Sequence, residues 1–129
     1  MTSVETLVAT VVTSVGLLGI GALHLVSLKD NLQANFRSQA NILTTDIIER
    51  MRANREDAIE HRYNVDFGAL SQSSSAVAKE DVDSWKLNLK RLLPNGDGSI
   101  EQASEVIVIT IQWRDRQGSP STLTSNARL

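Results

Sequence analysis

Residues 6–28 read TLVATVVTSVGLLGIGALHLVSL, an apolar run of membrane-spanning length. It holds no Asp, Glu, Lys or Arg, and His24 is its one ionisable side chain. At 1.5 Å rise per residue, about 23 helical residues cover roughly 34 Å, enough to cross a hydrocarbon core of about 30 Å. Glu5 stands immediately before the run, and no base precedes it. Orientation in a membrane normally follows Lys and Arg on the cytoplasmic side, yet the nearest bases, Lys29 and Arg37, come after the span. A cleavable secretory signal would have a basic start and a shorter apolar core of about 7–15 residues. The expectation is a membrane helix whose basic leader has been removed by processing before Met1, or lies outside this sequence.

The apolar period continues past the span. Leu25, Leu28, Leu32, Phe36, Ala40, Leu43, Ile47 and Met51 follow at steps of three or four, the mark of one helix face. Lys29, Asp30, Gln33, Asn35, Arg37, Gln39, Asp46, Glu49 and Arg50 lie between them as a solvated face. No proline occurs before Pro94, so one helix is expected over 2–54, apolar in its first half and amphipathic in its second. Its packing face is Leu25, Leu28, Leu32, Phe36, Leu43, Ile47 and Met51. Gly16, Gly19 and Gly21 each cost about 1 kcal/mol of helix propensity in water, but glycine is common in membrane helices.

After Asn54 the period fades. The charged segment 55–62 is expected to fray or turn, and the serine-rich segment 64–78 to form a surface loop. Residues 79–93 read as a short helix capped by Asp81 or Asp83, with Val82, Trp85, Leu89, Leu92 and Leu93 as its apolar stripe. Pro94-Asn95-Gly96-Asp97-Gly98 is a stop and a turn. VIVITIQW, 106–113, is the best strand, β-branched and alternating, with Ile107, Ile109, Ile111 and Trp113 on one face. A turn over 114–120 and a last short strand over 121–129 follow. The expected head core is Trp85, Leu89, Ile107, Ile109, Ile111 and Trp113. The fold class is α+β, a long N-terminal helix packed on a small antiparallel β-sheet head, divided as helix 1–54 and head 55–129.

Composition narrows the chemistry. The chain has 129 residues and net charge −2, with no acidic or basic tail. Outside the span about 100 residues remain, one small domain at most. Absence of cysteine excludes a disulfide scaffold, a thiol nucleophile and thiolate metal sites. Asn95-Gly96-Asp97-Gly98 lacks the ligand spacing and terminal Glu of an EF-hand, so no metal site is expected. No Ser/His/Asp order, Walker loop or dinucleotide fingerprint occurs, so neither catalytic residues nor a cofactor are expected. Asp46, Glu49, Arg50, Arg52 and Arg55 read as helix-surface ion pairs, each worth a few tenths of a kcal/mol. His24 reads as interfacial or hydrogen-bonded to a neighbour. Trp85 and Trp113 read as core, because a nucleic-acid stacking platform would need a basic groove around it. Glu5 has two readings: an interfacial carboxylate favoured by the positive end of its helix, or the counter-ion of a specific partner. The absence of other charge tilts it toward the second.

Met1-Thr2-Ser3-Val4-Glu5-Thr6-Leu7-Val8-Ala9, continued by Gly16-Leu17-Leu18-Gly19, resembles the mature start of a type IV pilin or pseudopilin. Ser38-Gln39-Ala40 and Asp46-Ile47-Ile48-Glu49-Arg50-Met51-Arg52-Ala53-Asn54 resemble the helix end of PilV-type minor pilins. Leu92-Leu93-Pro94 with its glycine-rich turn, and Ile111-Gln112-Trp113-Arg114-Asp115, fit the same subfamily. Ser3 and Thr6 make the surroundings of Glu5 more polar than the usual pattern, and zero cysteine argues against a major pilin with its C-terminal disulfide loop. The resemblance implies Met1 as a processed, N-methylated terminus, and Glu5 as the partner of a neighbouring subunit's N-terminal ammonium in the filament. It implies a single-pass protein of the bacterial inner membrane with a periplasmic head, later part of the pilus filament or tip at the cell surface. The role implied is a minor subunit that primes or caps a type IV pilus. Its partners would be other minor and major pilins, the inner-membrane assembly platform, inner-membrane lipid and a tip adhesin, with no nucleic acid. A minor pseudopilin of type II secretion shares the same start and small head. A DNA-uptake pilin would need a basic surface, for which Arg114, Arg116 and Arg128 are the only hint. Nothing supports a membrane-anchored enzyme.

Overall fold

The computed structural model describes residues 2–129. Helix α1 covers Ser3–Ala53 without a break, close to the expected bounds. It passes through two compact units that divide between Asn35 and Phe36.

In the first unit the helix stands uncovered. Val4, Leu7, Val11, Leu18 and Leu25 are all more than half exposed. Its hydroxyls are satisfied within the helix: Thr10 donates to the Thr6 carbonyl at 2.8 Å, Thr13 to Ala9 at 2.8 Å and Ser14 to Thr10 at 2.7 Å. Such back-bonding lets a hydroxyl enter an apolar medium without an outside partner. By length and composition α1 is a candidate membrane span.

The second unit, Phe36–Leu129, holds the core. After α1 come α2 (Arg55–Ile59) and α3 (Ala76–Leu92). The strands β1 (Asp97–Ala103), β2 (Val106–Arg114) and β3 (Pro120–Arg128) form an antiparallel sheet in the order β1-β2-β3. β2 alternates as its sequence demands: Ile107, Ile109, Ile111 and Trp113 are buried, and Val106, Val108 and Thr110 face the other side. The buried row packs with Ala40, Leu43, Ile47 and Met51 of α1 and Val82, Trp85 and Leu89 of α3. The Trp85 indole N–H donates to the Leu43 carbonyl at 3.0 Å, tying α3 to α1 through the core. Gly98 makes room for that indole: a methyl group there would sit 2.5 Å from Trp85 Cη2. The fold is therefore the expected α+β arrangement, a long apolar N-terminal helix with a three-stranded antiparallel sheet.

Several local expectations are corrected. The α1 packing stripe is divided. Leu43, Ile47 and Met51 are buried and Phe36 packs on the core, but Leu25, Leu28 and Leu32 are 71%, 61% and 39% exposed, because the core begins only at Phe36. Helix α3 starts at Ala76 rather than residue 79, and its cap is Ser75, whose hydroxyl accepts from the Ala78 N–H at 3.4 Å. Asp81 and Asp83 lie inside the helix and hold other segments instead. Leu92, placed in the stripe, is 47% exposed. The segment read as surface loop contributes buried Val65 and Ser71, and Val65 bridges Ile100 at the edge of β1. β1 itself was not expected: it begins at Asp97, inside the predicted turn, and Ile100 is its only large buried side chain.

Candidate functional site

At the start of α1, Thr2 and Glu5 hold each other. Glu5 Oε2 accepts from the Thr2 backbone N–H at 2.8 Å and from the Thr2 hydroxyl at 3.2 Å. In return the Thr2 hydroxyl accepts from the Glu5 N–H at 3.4 Å. This reciprocal pattern is a capping box, and Thr-x-x-Glu is its sequence signature, a signal present in Thr2-Ser3-Val4-Glu5 that the reading of Glu5 as an isolated acid missed. Both bonds fall on one carboxylate oxygen, so Oε1 has no hydrogen-bond partner among the described residues. Val4, Val8, Ala9, Val12 and Thr13 line a shallow, mostly apolar strip beside the carboxylate. An anion with a free acceptor oxygen on an apolar strip can accept from a donor supplied by another chain. Met1, where N-methylation is expected, lies outside the described residues.

The other charged groups are engaged within the head. Arg50, read as a surface pair, bonds Asp46 at 3.2 Å and also reaches Asp81 of α3 at 3.0 Å. Its guanidinium is held even more firmly protonated than usual, chiefly by the Asp81 bond against the cost of burial. The Tyr63 hydroxyl donates to Asp81 at 2.7 Å and accepts from the Asn54 amide at 3.2 Å. Burial, then the Asp81 bond, pushes the Tyr63 phenol up to about 12. Asn54 also donates to Asp57 at 2.7 Å, and Arg62 donates to the same carboxylate at 2.9 Å. The Ser75 hydroxyl is bonded there as well, and with Asn54 it holds the Asp57 carboxyl below its usual range. Every ion of this cluster faces another across α1, α2, α3 and the turn after α2. It is a joint between helices.

A second internal pair involves Lys86 of α3. Its ammonium is buried, donates to the Asp66 carbonyl at 2.6 Å and pairs with Asp97 at 3.2 Å. Burial would raise the Asp97 carboxyl, but the Gly68 and Gly98 N–H groups and Lys86 outweigh it and the net shift is downward. Glu49 and Arg52 form an exposed pair at 2.8 Å, as the spacing suggested. His24 is exposed on α1. Trp85 and Trp113 are buried, so neither offers an exposed ring. Trp113 Nε1 and Gln102 Oε1 are buried without a hydrogen-bond partner among the described residues. Arg114 and Arg128 sit at opposite ends of the β2–β3 pair, where they face Pro120 and Val106, so they do not gather into a basic patch. Among the described residues no group of His, Cys, Asp and Glu side chains assembles a metal site. Asp81 and Lys86 were missed as joints because their partners are distant in sequence; Asp57 has near partners in Asn54 and Arg62, and only its bond to Ser75 is long-range. No family model, curated protein or solved structure matches the chain.

Proposed function

We propose that the chain is a minor pilin of the PilV type, a non-enzymatic subunit that primes or caps a type IV pilus together with other pilins. The observation that carries this reading is Glu5, one of whose oxygens has no hydrogen-bond partner among the described residues, opening an uncharged and exposed helical run that continues as the same helix into the core of an α+β head. In the inner membrane the run lies in lipid and the head in the periplasm. On extraction into a filament, lipid contacts give way to the helices of other pilins. Glu5 then neutralises the N-terminal ammonium of a neighbour, where either charge alone in a low-dielectric core would be costly. The same pairing fixes the axial register between subunits.

The test separates capping from pairing. Glutamine also serves in a capping box but cannot neutralise an ammonium. Glu5→Gln should therefore insert into the membrane like the parent chain yet fail to enter filaments, and Glu5→Ala should behave the same way. Filament incorporation of Glu5→Gln at the parental level would sink the pairing. Co-purification from membranes with pilus components, rather than those of a type II secretion system, distinguishes a pilin from a pseudopilin.

A further inference from the structure

The least guarded element of the head is β3. It closes one side of the sheet, and among the described residues no strand pairs with its outer side. The direction of its backbone groups follows from the preceding turn. The Asp115 N–H donates to the Ser119 carbonyl at 3.0 Å, which makes that pair a hydrogen-bonded one. Antiparallel pairs alternate between bonded and open, so Arg114 and Pro120 form an open pair. In agreement, the Arg114 N–H turns away to the Pro94 carbonyl at 2.9 Å. Along the register, Ser121, Leu123, Ser125 and Ala127 close the ladder with β2, and Thr122, Thr124, Asn126 and Arg128 aim their N–H and C=O groups outward. The usual edge protections are sparse. The strand has no lysine, no acid and no bulge, and its one proline stands at the first position.

We propose that β3 pairs with β3 of a second copy of this chain, antiparallel about Thr124, joining two sheets into one. In that register Thr124 faces Thr124, and Thr122 faces Asn126, so the outward backbone groups of these residues meet their complements. Their exposed hydroxyl and amide side chains face each other across the seam, a favourable cross-strand pairing. Arg128, the only formal charge on the strand, faces Pro120 of the second copy. The two Arg128 side chains then stand at opposite ends of the ladder, about 27 Å apart at about 3.4 Å per residue. A parallel pairing would set them side by side, which is unfavourable. The pairing rests on the sheet alone and is independent of the function given to the N-terminal helix.

Because the chain has no cysteine, one introduced thiol reports the contact without background. In the full chain, held in detergent micelles and a glutathione redox buffer, Thr124→Cys should form a disulfide-linked dimer several-fold more than Arg116→Cys in the exposed turn. A mixture of Thr122→Cys and Asn126→Cys chains should cross-link several-fold more than either alone. Adding Thr124→Pro to both members of that mixture removes an outward N–H that the β2 ladder does not use, and should abolish the cross-link. A Thr124→Cys chain that stays monomeric, equal yields at Arg116→Cys, or a mixed cross-link that survives Thr124→Pro would each overturn the pairing.

Discussion

Replacing Lys86 by methionine is the sharpest test of how the head is held together. The substitution keeps an unbranched side chain of similar length and removes only the ammonium. Two groups lose their partner: the Asp66 carbonyl, 2.6 Å from Nζ, and the Asp97 carboxylate at 3.2 Å. Breaking a buried ion pair by removing one member costs about 3–5 kcal/mol. Asp97 keeps the Gly68 and Gly98 N–H groups and is 26% exposed, which places Lys86→Met at the lower end, about 3 kcal/mol. For a domain of about 60–100 residues this corresponds to a fall in Tm of about 12–24 °C. The only two tryptophans, Trp85 and Trp113, are both buried in the head, so indole fluorescence of the full chain in detergent follows its unfolding directly. The pH arm has a definite sign. Asp97 titrates lower in the folded chain than its ordinary 3.8, so its stabilisation is present above that value and is lost as pH falls through the folded pKa. Lys86→Met withdraws part of the downward pull, so the gap between parent and variant should narrow as pH drops below about 4. A neutral-pH gap under about 1 kcal/mol, or one that does not change with pH, would show that the pair is merely solvated.

Two further perturbations probe the core and the helix joint. Gly98→Ala drives a methyl group to within 2.5 Å of Trp85 Cη2 and 2.9 Å of Leu89 Cδ1, and should destabilise the head by about 1–3 kcal/mol. Gly16→Ala, with nothing within 4 Å of its added methyl, should leave the fluorescence-monitored midpoint unchanged, and equal midpoints for both variants would refute the packing argument. Tyr63 is the only tyrosine, so tyrosinate absorbance reads it alone. It should titrate near 12 in the folded chain and near 10 in urea. Stability should therefore decline as pH rises from 10 to 12, a loss that Tyr63→Phe removes; a folded titration near 10 would place the hydroxyl in water.

What could be read in the sequence, and what could not, follows the range of the interaction involved. The bounds of α1 and the inward row of β2 are set by periodicity within a single element, and both were legible from residue spacing alone. The last strand was legible from its place after a turn. β1 was not, because Asp97–Ala103 offers one large apolar residue and becomes a strand through pairing with β2 on one side and Val65 on the other. The cap of α3 was misplaced for a related reason. Asp81 and Asp83 are as good caps by residue type as Ser75, but each has a long-range partner, Arg50 and Tyr63 for Asp81 and the Ser71 N–H for Asp83. Propensity for a cap yields to a tertiary hydrogen bond of about 1.5–3 kcal/mol when one member is charged. In the candidate site, Glu5 was legible by its isolation, and Thr2 was overlooked although the capping-box spacing was present.

The two proposed contacts share a physical origin in the distribution of satisfied polar groups. Hydroxyls of the N-terminal run turn back onto their own helix, and ions of the helix joint and of the Lys86 pair meet partners inside the head. Against that background, the free oxygen of Glu5 and the outward backbone of Thr122, Thr124 and Asn126 are exposed polar groups with a defined direction and no partner among the described residues. Water satisfies both at little cost in a free chain. The two differ once the chain assembles. An edge strand can remain hydrated beside a neighbour, so β3 pairing is optional and should respond to concentration by mass action. A carboxylate enclosed by apolar helices loses its water, and unless it meets a cation it must protonate or be excluded. Assembly that depends on Glu5 should accordingly be all-or-none in Glu5→Gln, whereas β3 pairing of the parent chain should rise gradually with protein concentration.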